Sequence, residues 1–311
     1  MPTATTISVV LETDSTHPYD NIKIGDCLEA VARQTYPREL TELIVVDGGK
    51  VEGLEEVVKP LFPSAIIFKL PGGTKFEMKN LGMKAATGEI VAFVDGDCAP
   101  PPDWLSWVVR ELAQALPEVA GVQGITVLTD GFLAREISAL FYGVRSDGSG
   151  RYTARLVTDN CAFRREIARR FTFEHTDFST VVDTLFLRRL EQAGYRMRLC
   201  ENLRMAHSFP GATWEGVRWF FARAYGVGYY MVKGRQLEPD LRGSWLVRWG
   251  GVGWPLLALG KFLLDLHQVW QNRRRLKVRP LVAFLPAVLY GAVLFLGGVA
   301  ALLRFPPPRW S

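Results

Sequence analysis

Cysteine is scarce in this chain, with four in 311 residues. Cys27, Cys98, Cys161 and Cys200 stand far apart and lack the close pairing that zinc sites use. They read as reduced core residues of a cytosolic domain. Cys98 directly follows an acidic pair; inert burial is the default for such a residue, and a nucleophile is the alternative. No internal repeat is present. No secretory signal opens the chain, because Met1 to Thr6 is short and polar. Charge is missing altogether from Leu281 to Leu303, a stretch long enough to cross a bilayer as a helix. Its Pro286 and its glycines are tolerated in membrane helices.

What is present points to a packed protein. Hydrophobic residues make up 48% and charged residues 22%, which excludes global disorder and supplies a sizeable core. A net charge of +5 fits nucleic acid, an anionic membrane surface or an anionic substrate. Apolar runs at Ile7–Leu11, Leu43–Val46, Ala65–Leu70 and Ile90–Val94 predict strands. Between them, Ile22–Gln34, Gly53–Leu61 and Phe76–Ala86 predict helices. Strands alternating with helices give a parallel sheet covered on both faces, with ligands beyond the carboxyl ends of its strands.

The fourth strand runs into Asp95-Gly96-Asp97, and the second ends in Asp47-Gly48-Gly49. Two carboxylates at such an edge suit a divalent cation carrying a phosphate-bearing substrate; a polar turn is the bland alternative. Farther on, the pattern predicts a helix over Trp104–Leu116 and a strand over Val119–Leu128. A mobile glycine-rich loop over Arg145–Arg155, a helix over Asp183–Ala193 and a strand over Arg196–Cys200 follow.

From Trp214 the character changes. Trp219, Phe220, Phe221, Tyr225, Tyr229, Tyr230, Trp245, Trp249 and Trp254 mix with Arg and Lys. That mixture fits a membrane interface, whereas nucleic-acid stacking is disfavoured beside a membrane span. Leu246–Leu264 is either a second span or an interfacial helix. The loop after it holds Arg273, Arg274, Arg275, Lys277 and Arg279, and positive charge stays cytosolic. With the preceding domain also cytosolic, an interfacial or re-entrant segment is favoured.

An ordered set of motifs carries a resemblance. Strand Ile7–Leu11 is followed by Val45-Val46-Asp47-Gly48-Gly49, then by Lys79-Asn80 with Gly82 and Ala85-Ala86-Thr87-Gly88-Glu89. Asp95-Gly96-Asp97, Pro102-Asp103-Trp104, Cys161-Ala162-Phe163-Arg164-Arg165-Glu166, Asp183 with Gly194-Tyr195, and His207 come after them. Over Ile7 to Tyr230 this resembles family 2 glycosyltransferases, and the basic-aromatic segment with its membrane tail is similar to the exopolysaccharide-assembly branch.

The resemblance implies an α/β GT-A nucleotide-diphospho-sugar transferase fold, a Rossmann-like mixed sheet with helices on both faces, plus C-terminal membrane-associated helices. It implies a catalytic domain over 1–235, an interfacial segment over 236–280 and a transmembrane helix over 281–303. It also implies an inverting enzyme that moves a sugar from a UDP- or GDP-sugar to a lipid-linked or polysaccharide acceptor at the cytosolic face of the cell membrane. Membrane lipids are expected partners and nucleic acid is not.

In that scheme Asp97 and His207 bind Mg²⁺ or Mn²⁺, which stabilises the departing nucleoside diphosphate. A structural role is the alternative for His207. Asp95 contacts the ribose, or the metal through water. Asp47 accepts hydrogen bonds from the base or ribose, unless it only stabilises its turn. Asp183 is the general base, unless it is a helix N-cap. Lys79 and Asn80 line the nucleotide site. Arg164 and Arg165 hold diphosphate or acceptor charge, or else form a solvated helix start.

The chain departs from the family pattern at several positions. Lys79 replaces an arginine, Glu12 a proline after the first strand, Gly48 an aspartate, Val182 a glutamate and Leu185 a second acid. Glu12 thereby joins the substrate-side residues. A processive synthase is disfavoured because Gln-x-x-Arg-Trp is absent. A nucleotidyltransferase needs a basic glycine-rich loop where Glu12-Thr13-Asp14-Ser15 stands. A non-catalytic membrane scaffold is the remaining alternative.

Overall fold

A computed structural model describes residues 5–15, 21–129, 131, 133–146, 149–175, 181–209, 213–237, 249 and 252–305. Its elements run in order β1 (Ile7–Glu12), α1 (Ile24–Ala32), β2 (Thr41–Asp47), α2 (Leu54–Leu61), β3 (Ile66–Lys69), α3 (Lys75–Ala85), β4 (Ile90–Asp95) and β5 (Cys98–Ala99). Then come α4 (Trp104–Ala113), β6 (Val119–Leu128), α5 (Ala134–Phe141), β7 (Cys161–Arg164), α6 (Arg165–Arg170), α7 (Val182–Gln192) and β8 (Arg196–His207). Three long helices close the chain: α8 (Trp214–Leu237), α9 (Gly253–Asn272) and α10 (Pro280–Leu302).

The chain divides into two units. The first is Met1–Asp130 with Val144–Phe209, and the second is Gly131–Gly143 with Pro210–Ser311. The division falls after residue 209, ahead of α8.

The first unit is built on one eight-stranded sheet of order β3-β2-β1-β4-β7-β6-β8-β5. β3, β2, β1 and β4 are parallel. β7 runs antiparallel to β4, β6 antiparallel to β7, and β8 parallel to β6. β1 and β4 are buried at every residue, which explains their near-continuous apolar composition.

Alternate residues of each strand feed two cores. Ile7, Val9 and Leu11 pack with α1, α2 and α4, whereas Val10 packs with Phe76, Met78 and Met83 of α3. Gly82 lets α3 lie against β1, since a Cβ there would come within 2.3 Å of Val10 Cγ1. The helix starts at a capping box: the Glu77 N–H donates to Thr74 Oγ1 at 3.3 Å, and the Thr74 N–H donates to Glu77 Oε2 at 2.8 Å. β8 continues past the expected end at Cys200 as far as His207, which brings a histidine to the sheet edge. Within 145–155, the described flanks of the expected loop are held by bridges Ser146↔Thr153 and Tyr152↔Arg198.

The second unit contains α5, α8, α9 and α10. Buried Glu136 of α5 accepts from the Arg279 guanidinium just before α10, at 2.8 and 3.1 Å. Phe141 of α5 meets Trp219, Phe220 and Tyr290 edge-on. α10 is long and apolar enough to cross a membrane, as the sequence indicated. Of the expected 246–264 segment, 246–248 and 250–251 lie outside the described residues; 253–264 belong to α9, which continues to Asn272.

Candidate functional site

Strand direction gathers the acidic residues at one edge of the sheet. Parallel β1, β2 and β4 end there with Glu12, Asp47 and Asp95. β7 runs the other way, so the residues just before it, including Asp159, arrive at that same edge. β6 and β8 run back toward it, ending in Leu128 and His207, which are register partners. The short strand after Asp97 pairs Cys98 with His207.

Asp97, His207 and Asp159 form a buried cluster. His207 Nδ1 lies 2.6 Å from the Ser208 carbonyl, which can only accept, so Nδ1 carries the proton and donates. Nε2 then faces Asp97 Oδ2 at 3.7 Å and Asp159 Oδ2 at 3.8 Å. Thr126 Oγ1 donates to Asp159 Oδ1 at 3.0 Å and fixes that carboxylate. Burial pushes the His207 imidazole down, but Asp97 and Asp159 outweigh it and hold its pKa above the usual value. Burial raises the Asp159 carboxyl, against the pull of His207.

Cys98 sits beside this cluster, its thiol donating to Asp97 Oδ1 at 3.5 Å. Burial, then Asp97 and Asp159, push that thiol well above its ordinary range. A raised thiol argues against the nucleophilic alternative.

The ligand atoms of Asp97, Cys98 and His207 lie within 4.8 Å of one another, close enough to converge on one ion. Carboxylate oxygens and an imidazole nitrogen whose other nitrogen is tied to a carbonyl form a donor set that fits a hard divalent cation.

A second group lies beside the first. Glu12 and Asp95 are register partners across β1 and β4. Lys79, fully buried on α3, forms an ion pair with Asp95, donates to the Thr158 carbonyl at 3.3 Å and sits 5.3 Å over the Phe93 ring. Burial alone would raise the Asp95 carboxyl; the Lys79 ammonium outweighs it and holds the group low. Burial and then Asp95 lift Glu12 from 4.5 to about 7. Ser15 Oγ donates to Glu12 Oε1 at 2.6 Å and reaches Asp95 Oδ2 at 3.4 Å. The two aspartates of the Asp95-Gly96-Asp97 motif are therefore unequal: one is neutralised by lysine, the other faces histidine.

Asp47 caps its own turn. Its Oδ1 accepts from the Gly49 N–H at 2.8 Å and from Thr13 Oγ1 at 3.3 Å. Asp183 is half-buried in the first turn of α7, and its Oδ1 accepts from the Thr184 N–H at 2.7 Å. The N-cap itself is Val181, so the N-cap alternative for Asp183 is corrected.

Three expected substrate residues sit elsewhere. Arg164 ends β7 opposite Ile90, at the amino end of β4. Its guanidinium donates to the carbonyls of Val119 at 3.1 Å and Leu112 at 3.0 Å, which satisfies backbone groups at the end of α4 and the start of β6. Arg165 donates to the Thr87 carbonyl at the same far edge. The Asn80 amide clamps Phe173, donating to its carbonyl and accepting from its N–H, each at 2.8 Å. All three hold backbone groups in the structure: Arg164 and Arg165 at the edge opposite the acids, and Asn80 at Phe173. Asp159 is the residue the sequence reading missed. Its one signal was an aspartate just before the strand that opens at Cys161.

Residues 23–172 match the family described as Glycosyl transferase family 2. Glycosyltransferase AglE of Haloferax volcanii is 33% identical over 103 residues, covering 32% of this chain and 34% of that protein. The Methanococcus voltae dolichyl N-acetyl-alpha-D-glucosaminyl phosphate 3-beta-D-2,3-diacetamido-2,3-dideoxy-beta-D-glucuronosyltransferase is 25% identical over 154 residues, 47% of each chain. The chain thus spans a third to about half of the length of these relatives. Among solved structures, the mannosyltransferase PcManGT from Pyrobaculum calidifontis, in complex with GDP-Man and Mn²⁺, superposes with a TM-score of 0.61 at 19% identity. The superposition covers 96% of this chain and 88% of that one, and the shared architecture is the GT-A fold.

Proposed function

The chain carries a glycosyltransferase family 2 domain, and on that premise we propose that it moves a sugar from a UDP- or GDP-sugar to a lipid-linked or polysaccharide acceptor at a membrane. One observation carries the reading: Asp97, Asp159 and His207 converge, buried, at the sheet edge where β1, β2 and β4 also end. These three residues would hold Mn²⁺ or Mg²⁺. When bound, the ion supplies Lewis-acid stabilisation of the charge growing on the departing diphosphate. Asp47 and Asp95 serve the nucleoside, with Lys79 holding Asp95 in place. The GDP-mannose and Mn²⁺ of the PcManGT complex, and the dolichyl-linked sugar in the name of the Methanococcus relative, support this choice of donor, ion and acceptor class.

Asp183 acts as general base in this scheme. Its carboxylate takes the proton of the acceptor hydroxyl while that oxygen bonds to the anomeric carbon. The bond from that carbon to the diphosphate oxygen breaks on the opposite face, so the configuration inverts. The reaction proceeds on the cytosolic side, where nucleotide sugars are made, with α10 as the anchor.

The test is a screen of nucleotide sugars for thermal stabilisation and hydrolysis, with and without Mn²⁺. A ligand that binds the native state raises the melting temperature by mass action. The expected result is stabilisation by one nucleotide sugar that requires Mn²⁺ and is lost in Asp97→Ala. Asp183→Asn should keep that stabilisation and lose turnover. Stabilisation that ignores the metal and survives Asp97→Ala would remove the basis of the proposal.

A further inference from the structure

The helix α9 is inside out. Its polar residues Asp265, Gln268 and Asn272 are buried, and Lys261 turns inward to pair with Asp265 at 2.5 Å. Its exposed positions include Leu256, Leu259, Leu263 and Leu264. A water-facing helix has the opposite pattern, and an interfacial helix turns its polar face to water. Here Lys261, Asp265, Gln268 and Asn272 turn into the unit and the leucines are left outside, while His267 and Gln271 are exposed in the last turns before the basic loop.

The packing against α10 gives the direction. Trp254 lies against Phe295 and Gly298, Lys261 stands 5.4 Å over the Tyr290 ring, and Phe262 lies over Gly291. Moving up one helix moves down the other by a similar number of residues, so α9 and α10 form an antiparallel hairpin. At 20 residues, α9 is about 30 Å long, the thickness of the hydrocarbon core. α8 runs in the same direction as α10: Phe220 meets Tyr290, and Tyr229 Oη donates to the Phe305 carbonyl at 2.7 Å. Gly228 and Gly297 bring those two backbones together, since a Cβ at either would fall about 2 Å from a carbonyl oxygen of the other helix.

We propose that α9 crosses the lipid hydrocarbon as a second span beside α10, with α8 as a third, its exposed leucines covered by acyl chains. Charge at the helix ends supports this occupant. The hairpin loop carries Arg273, Arg274, Arg275, Lys277 and Arg279, the charge that stays cytosolic. Exposed Trp270 sits on α9 just before that loop, as at a headgroup boundary. Residue 214 and the loop 273–279 then share the cytosolic side, and residues 252 and 304 share the other. Three crossings resolve the parity that made an interfacial segment the preferred sequence reading. The inference does not depend on sugar transfer.

The test uses the full chain in intact cells with a membrane-impermeant maleimide. The four native cysteines are buried and give little background. Cysteine placed at exposed Val252, Trp249 or Arg304 should label without lysis, whereas cysteine at exposed Arg274 should label only after lysis. Labelling of Val252→Cys and Trp249→Cys only after lysis, like Arg274→Cys, would overturn the second span. So would recovery of the chain in the aqueous phase as a dimer, which would assign the leucine face to a second copy. Neither readout depends on enzymatic activity, so loss of the sugar-transfer reading leaves this test standing.

Discussion

Replacing Lys79 with methionine tests the buried charge arrangement most directly. Lys79 is 0% exposed and Asp95 is 3% exposed, and their ion pair is the neutralising contact of Asp95. Methionine keeps most of the volume but removes the charge. Leaving one partner of a buried pair uncompensated costs about 3–5 kcal/mol. The nearby Glu12 carboxylate adds to the penalty, since its charge is also balanced in part by Lys79. For a unit of 150–250 residues, each kcal/mol lowers the melting temperature by about 2–4 °C, so Lys79→Met should fall by roughly 6–20 °C. The second arm is Lys79→Met with Asp95→Asn. Removing the stranded charge should recover much of the loss, because a neutral pair of similar shape is far less costly than a lone buried carboxylate. Melting followed by far-ultraviolet circular dichroism at pH 8 reads both variants. A drop of under about 3 °C for the single variant, or a double variant no more stable than the single, would refute the charge assignment.

Glu12 makes a prediction of defined sign. Its carboxyl is lifted from 4.5 to about 7 in the folded chain, so its protonated form is favoured by folding. That contribution is full below pH 4.5 and is lost as pH rises to about 7, a fall of about 3 kcal/mol at 1.36 kcal/mol per pH unit. Glu12→Gln should flatten the stability profile across that window, as urea titrations at pH 5 and pH 8 would reveal. Asp159→Asn should weaken Mn²⁺ binding by about tenfold or more, whereas Cys98→Ser should leave it within about threefold; calorimetry distinguishes them. Arg164→Ala should cost about 1–3 kcal/mol by stranding the Leu112 and Val119 carbonyls, with donor affinity unchanged in a thermal-shift titration.

The first half of the fold was legible because it rests on local patterning. Ile7–Leu11, Leu43–Val46 and Ile90–Val94 are continuous apolar runs, and only a strand buried on both faces uses such runs at that length. The strand-end acids Asp47, Asp95 and Asp97 followed from the same pattern, since a parallel sheet collects its carboxyl ends at one edge. Arg164 and Asp159 show where local reading stops. Arg164 ends β7 and Asp159 precedes it, and nothing in their neighbourhood says that this strand runs backward. Its reversal sends Arg164 to the far edge and brings Asp159 to the acidic one. The clamp of Asn80 on Phe173 was not legible either, because its motif position was clear while its partner lay 93 residues away.

The acidic pair and the charge-free tail were written in the chain itself, because strand period and helix length are properties of neighbouring residues. Which aspartate faces a histidine, and which a lysine, depended on β8 running on to His207 and on α3 presenting Lys79 inward. The character of α9 was likewise decided by packing. Its Lys, Asp, Gln and Asn lower its mean hydropathy below that of a membrane helix, and only the tertiary structure turns them inward and leaves the leucines outside. Composition counts residues without direction, whereas burial assigns each side chain to a neighbour.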